Sequence, residues 1–438
     1  MSTGIVWFRR DLRLDDNPAW AAATAAHQRV IAAFVIDPAL WDRCHPSRIA
    51  MLAANLRALD QRVTAAGGRL WLGRGEPIEE VRALAHRHRA EAVHANRDVS
   101  PFATRRDLAA VQALPMVWWD GQYVHAPGRV LTKSGEAFTV FTPFHRRWSE
   151  LDWNEWPEPG DAQIVDAGEP EIPATSPPPI EGGEIAALQR LEGSLDRIED
   201  YPDERDRPDL DTTSRLSIDL KWGTISARTI VDTVGSGTKA RAAFIRQIAW
   251  RDFYAQVMEA IPHTAERAMK PKYDAVPWID DPDAVTAWKS GHTGYPIVDA
   301  GMRQLLAEGW MHNRVRMIAA SFLVKDLLVD WRVGELHFRR LLLDADVSQN
   351  VGNWQWVAGT GADAAPYFRI FNPTTQSRKF DPDGVYIRRW VPELRSLAGS
   401  EIHAPGPADL VGLDYPAPIV DHALARQRTL AAYGSVSG

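Results

Sequence analysis

One cysteine, Cys44, stands in 438 residues. That single thiol excludes an internal disulfide and a multi-cysteine metal site, and no metal centre is expected. No apolar run reaches the length of about 18 residues that a spanning helix needs. The amino terminus offers only four apolar positions, Ile5 to Phe8, before Arg9, Arg10 and Asp11. This is too short for the core of a signal peptide. A cytoplasmic, monomeric protein with no membrane partner is the expectation. Gly-x-Gly-x-x-Gly is missing after the first apolar run, so a dinucleotide held in the usual Rossmann manner is not supported. There is no internal repeat.

The formal charge of −7 argues at first against a nucleic-acid partner. Its distribution reverses that impression. Between Glu155 and Thr212 lie 17 acidic residues and four arginines, a local charge of −13. The remainder carries +6, the difference between −7 and −13. Phosphate binding follows local basic surface rather than the total. Arg314, Arg316, Lys325, Arg339, Arg340, Arg369, Arg378, Lys379, Arg388 and Arg389 are candidates for that surface, although each alone reads as an ordinary solvated charge.

Five β-rich runs mark the first 120 residues: Ile5–Phe8, Val30–Ile36, Leu70–Leu72, Ala92–His94 and Met116–Trp119. Helical stretches alternate with them, at Pro18–His27, Pro46–Ala66, Pro77–His88 and about Ala103–Ala113. Several carry Pro in the first turn, where its missing N–H is harmless. Such alternation predicts a parallel, doubly wound, five-stranded α/β domain over 1–130. Residues 131–183, rich in Pro, Glu, Asp and Gly, read as a long surface linker. From 184 to 438 the pattern is helical, predicting an all-α domain.

Thr213-Ser-Arg-Leu-Ser217 follows an acidic loop and precedes apolar helix. Its hydroxyls, guanidinium and free N–H groups suit a diphosphate, and equally suit an ordinary helix cap. In Phe244-Ile-Arg-Gln-Ile-Ala-Trp-Arg-Asp-Phe-Tyr254, Gln247, Trp250 and Arg251 fall at i, i+3 and i+4 and share one helix face. An amide beside an indole can bond and stack on a planar base, or simply belong to a core helix. Further on, Trp310-Met-His-Asn-Arg-Val-Arg-Met317 and Asp344-Ala-Asp-Val-Ser-Gln-Asn350-Val-Gly-Asn-Trp354-Gln-Trp356 crowd charged, amide and indole groups into apolar sequence. Buried charge costs several kcal/mol unless paired, so this grouping suggests closure around a large polar, aromatic ligand.

These runs resemble the flavin-binding core of the DNA photolyase/cryptochrome family. The likeness extends from Val6-Trp-Phe-Arg-Arg-Asp-Leu-Arg-Leu-Asp15 through Phe138-Thr-Val-Phe-Thr-Pro143 to Phe368-Arg-Ile-Phe-Asn-Pro-Thr374. It implies that the helical domain binds flavin adenine dinucleotide (FAD). Thr213, Ser214, Arg215, Leu216 and Ser217 would then contact its phosphates, with Tyr201, Phe244 and Arg251 nearby. Arg316 would pair with Asp344, while Asp346 would accept from the isoalloxazine ring. Asn350 would face flavin N5, where its amide can donate to a reduced, anionic ring. Trp288, Trp331 and Trp354 coincide with the family's three-tryptophan chain from surface to flavin. Trp250 would stack on damaged bases, with Gln247, Asn313, Met317 and Trp356 completing the lesion pocket.

The resemblance implies a light-driven class I lyase that splits cyclobutane pyrimidine dimers in single- or double-stranded DNA. Gln247 departs from the glutamate usual in dimer-repairing relatives and is more typical of (6-4) photoproduct enzymes. Those enzymes call for a pair of histidines, and here Asn313 follows His312 where the second would stand. A cryptochrome-like photoreceptor is disfavoured by the short stretch after Tyr433. A light-independent nucleotide-binding enzyme on the N-terminal sheet is a further rival. For an antenna chromophore, Ala103 replaces the acidic residue of folate-binding relatives. Arg48, Asp98 and Phe102 favour a deazaflavin, with an empty cleft as the alternative.

Overall fold

Every residue of strand β1 (Thr3–Phe8) is buried. A strand covered on both faces needs no polar alternation, which is why it reads as a continuous apolar run. The computed structural model describes residues 1–437. Around β1 it assembles β2 (Arg29–Ile36), β3 (Trp71–Arg74), β4 (Ala92–Asn96) and β5 (Met116–Trp119) in the order β3-β2-β1-β4-β5. All pairings are parallel. The helices Pro18–Ala26, Pro46–Ala65 and Pro77–His88 begin on the expected proline, and the fourth, Pro101–Ala113, starts two residues before the expected Ala103, also on a proline. Asn17, His45, Glu76 and Ser100 cap them by accepting first-turn N–H groups.

A sixth strand was not expected. β6 (Gln163–Ile164) joins the free half of β2 at Arg29 and Val30. It comes from the segment read as a linker, as does the helix Phe141–Glu150, which buries Phe141, Phe144 and Trp148. Residues 131–183 are therefore partly built structure. The surrounding Pro and Glu content had masked aromatic spacing of i, i+3 and i+7.

Compactness divides the chain into Met1–Glu199 with Ser214–Pro262, and Asp200–Thr213 with His263–Gly438. The boundary differs from that suggested by composition because several helices bond to the sheet side of the first unit. Leu12 N–H donates to the Trp222 carbonyl at 3.2 Å, and the buried Arg13 guanidinium donates to the Gly223 and Gly121 carbonyls at 3.1 and 2.8 Å. Arg251 reaches the Gln122 carbonyl at 2.6 Å.

The second unit is helical. Its core includes Trp288, Phe322, Trp331 and Phe338. Gly334 lets Trp354 in, since an added Cβ would lie 2.1 Å from that indole. Lys325, expected on a basic surface, is buried in the π-helical turn Phe322–Asp326. Its ammonium donates to the Ala358 carbonyl at 2.9 Å and lies 3.7 Å from the Tyr433 ring centre. Burial lowers its pKa to about 7, so it offers no phosphate contact. Among the described residues no helix is long and apolar enough to cross a membrane.

Candidate functional site

In the first unit the sequence-selected residues sit on the helix Lys239–Ala260, capped by Thr238, whose Oγ1 accepts from Arg241 N–H at 3.2 Å. Trp250 is half-buried and lies flat on Phe141, with ring centres 3.7 Å apart and planes 6° from parallel. Gln247 is half-buried, and one amide hydrogen is engaged with the Ala243 carbonyl at 3.3 Å. Arg251 is committed to the Gln122 and Leu220 carbonyls and rests 4.6 Å from the centre of the Tyr123 ring. Phe244 is buried. Ahead of this helix, Ser214 Oγ accepts from Leu216 N–H at 3.4 Å, Leu216 is buried and Ser217 is exposed. Arg215 has φ +55°, a left-handed conformation that costs a non-glycine residue about 1 kcal/mol or more and gathers at ligand sites.

In the second unit the electrostatic set is tightly paired. Arg316 grips Asp344 with two parallel bonds of 3.1 and 2.8 Å while its Nε donates to the Met311 carbonyl at 2.7 Å. Asp346 caps the helix Val347–Ala358, accepting from Gln349 N–H at 3.1 Å. Asn350, one turn on, gives both hydrogens of its amide to Glu335, at 2.9 Å to the carbonyl and 2.8 Å to Oε1. The expectation that this NH₂ donates to the flavin is thereby corrected: the group left to offer is the Oδ1 acceptor. Glu335 is buried and held by Arg339, and sequence reasoning missed it because a Glu–Arg pair at i, i+4 reads as surface.

Tyr201 lies beside Arg205, and Thr213 has a buried Oγ1 with no partner. Asn313 is exposed, with Met317 half-buried one turn later, and Trp356 is half-buried. His312 caps the helix Asn313–Ser321 by accepting Arg314 N–H at Nδ1 over 3.2 Å. Its proton therefore sits on Nε2, which is buried without a partner. Burial lowers its pKa to about 4, so it stays neutral near neutral pH.

The tryptophan expectation needs one change. Trp288 touches Trp354 with ring centres 6.1 Å apart, but it is 0% exposed, with Trp331 at 1% and Trp354 at 2%. Trp288 donates from Nε1 to the Ala319 carbonyl at 3.0 Å. It cannot serve as the solvent-facing end of an electron relay. Trp278 is half-buried, and Ile279 N–H, donating to the Leu328 carbonyl at 2.8 Å, holds its segment beside the one leading to Trp331.

The family model described as DNA photolyase matches residues 4–160, and the one described as FAD binding domain of DNA photolyase matches 244–435. The chain belongs to the DNA photolyase family. A deoxyribodipyrimidine photo-lyase from Streptomyces griseus is 43% identical, the match covering 99% of this chain and 100% of the relative. The Escherichia coli enzyme of that name is 38% identical over 99% and 98% of the two chains. A bacterial class III photolyase from Agrobacterium tumefaciens superposes with a TM-score of 0.92 at 39% identity, covering 100% of this chain and 98% of that one. A Synechocystis cryptochrome gives 0.90 at 28% identity, covering 99% of each.

FAD is accordingly the cofactor this photolyase-family chain takes, and the residues present fit it. The orphaned Thr213 hydroxyl suits a phosphate oxygen. The Arg316–Asp344 pair and the Asn350 carbonyl suit a ring bearing both donors and acceptors. The antenna expectation fares less simply. A cavity of about 440 Å³ in the first unit is lined by Asp98, Arg105, Leu108, Trp118, Met258 and Glu259, among others. Of Arg48, Asp98 and Phe102, it includes only Asp98. Burial raises the Asp98 carboxyl, but Arg10, at 3.1 Å, with the Ser100 N–H, Arg106 and Arg9, holds it well below the usual carboxylate range.

Proposed function

We infer that this chain repairs ultraviolet-damaged DNA in light, opening cyclobutane pyrimidine dimers as its photolyase relatives' name describes. A class I enzyme, acting as a monomer, is the reading that the motif resemblance supports. The observation that carries the substrate choice is Asn313, an exposed amide where the second histidine of a (6-4) enzyme is expected. His312, beside it, is buried and spends Nδ1 on the Arg314 N–H, and the next residue brings no second imidazole. Moving an oxygen between bases, as (6-4) repair demands, needs proton transfer. Splitting a cyclobutane ring needs only an electron out and back.

Bound FAD supplies the chemistry, light-driven donation and recovery of one electron. The chain's residues do the rest. Trp250 offers a flat face for the flipped-out dimer, and Asn313 and Gln247 offer amide hydrogens to its carbonyls. Arg316, Asp344, Asp346 and Asn350 orient the cofactor, with Tyr201, Phe244, Arg251 and residues 213–217 as its further contacts. Trp354, Trp331 and Trp278 form the route by which outside donors keep it reduced. A deazaflavin antenna is preferred to a folate, because Ala103 stands where folate binding wants an acid.

The test is direct. Purified protein is illuminated with oligothymidine carrying cyclobutane dimers, and thymine is counted by chromatography. Dimer loss only in light supports the reading, whereas colour and photoreduction with intact dimers would favour a photoreceptor. Repair confined to a (6-4) oligonucleotide would favour the other lesion.

A further inference from the structure

The Phe141–Trp250 stack sets how a base can reach Trp250. Phe141 is buried, and its ring covers one indole face at 3.7 Å. That face is closed to a ligand. Phe141 is itself locked: Phe144 lies 6.2 Å away, Phe253 meets it edge-on at 5.7 Å, and the Arg246 guanidinium lies 4.8 Å from its centre. A second pin joins the same two helices, where Trp148 Nε1 donates to Asp252 Oδ2 at 2.9 Å. Phe253 meets the indole edge-on and Tyr254 at a tilt, both with ring centres 5.5 Å away, so Phe141 is the ring that lies flat on it and sets its tilt, and without that ring its side-chain torsions are less restricted.

We propose that Phe141 is a positioning residue for lesion binding, fixing Trp250 as a one-sided wall that a damaged base stacks against and cannot intercalate beside. The proposal rests on the reading that Trp250 stacks on the dimer, and it makes the helix Phe141–Glu150 part of the substrate machinery. The residue never touches the reacting atoms. Its removal shifts binding and leaves chemistry in the bound complex alone.

The experiment measures dark binding of dimer-bearing oligothymidine by fluorescence anisotropy, and repair per flash once the complex is saturated. Phe141→Leu is expected to weaken binding about tenfold, the scale of one aromatic contact, with repair per flash and flavin content unchanged. Phe141→Tyr restores binding. In the Trp250→Ala background, Phe141→Leu costs nothing further, because the two act as a unit. Should Phe141→Leu fail to fold, Phe141→Met keeps the apolar volume and removes the flat face. Unchanged affinity in the single variant, or a full additional loss in the double variant, overturns the proposal. Wild-type protein that does not prefer dimer-bearing over intact oligothymidine overturns instead the lesion reading beneath it.

Discussion

The helix Lys239–Ala260 and the helix pair Trp331–Leu341 and Val347–Ala358 handle their functional groups in opposite ways. On the pair, and around Arg316, polar atoms are spent on bonds of fixed direction: Arg316 to Asp344, Asn350 to Glu335, Asp346 to its own helix start. On Lys239–Ala260 the exposed chemistry is a plane, Trp250 backed by Phe141, beside an amide with a hydrogen to spare. Directed bonds suit a resident cofactor, whose charges must be matched in one orientation. Flat contact suits a visiting base, which must bind, react and leave.

Breaking the directed set has the largest expected effect. Asp344→Asn leaves the Arg316 guanidinium without its carboxylate, a loss of about 3 kcal/mol for a buried pair. Flavin retained after dialysis, read from visible absorbance, falls on the order of a hundredfold in affinity, and undiminished yellow colour contradicts the assignment. The relay is sharpened by comparing two indoles. Trp278→Phe slows photoreduction by external donors roughly tenfold or more, a loss of about 1.4 kcal/mol or above in barrier terms. Trp288→Phe, at a position with no exposed surface of its own, leaves the rate near that of the wild type.

A pH profile probes the helix-cap histidine. His312 has a folded pKa lowered to about 4 from an ordinary value of 6.5, so its contribution to stability is present above pH 6.5 and is lost as pH falls toward 4. Thermal melts are expected to show a falling midpoint across that window. His312→Asn keeps a capping acceptor and flattens part of the fall; an unaltered slope would mean the imidazole is not held neutral. The smallest effect is expected from Gln247→Glu, because the resemblance puts a glutamate at this place in dimer-repairing relatives and the Asn313 amide remains to donate. Dimer repair stays within about twofold or rises, under 0.5 kcal/mol. A large loss would show that the second amide hydrogen is required.

Much of the fold was legible because the relevant physics is local. β1 and β2 read as apolar runs since both faces are covered, and proline opened four helices where its geometry fits. β6 was not legible, as two residues carry no period. The helix Phe141–Glu150 could have been found from its aromatic spacing. In the site, the Arg316–Asp344 partnership follows from the resemblance and stands in the structure. Burial is what sequence context withheld. Trp288 has the right neighbours and the wrong exposure, Lys325 looks like surface charge and lies in the core, and Glu335 looks like half of a surface pair. Each of these depends on contacts made far along the chain.

Light-dependent loss of cyclobutane dimers from oligothymidine decides whether this chain is a repair enzyme. Thymine is expected to return under blue light and not in darkness, and Trp250→Ala to weaken the response through binding. Intact dimers after prolonged illumination of the yellow, reducible protein would contradict it.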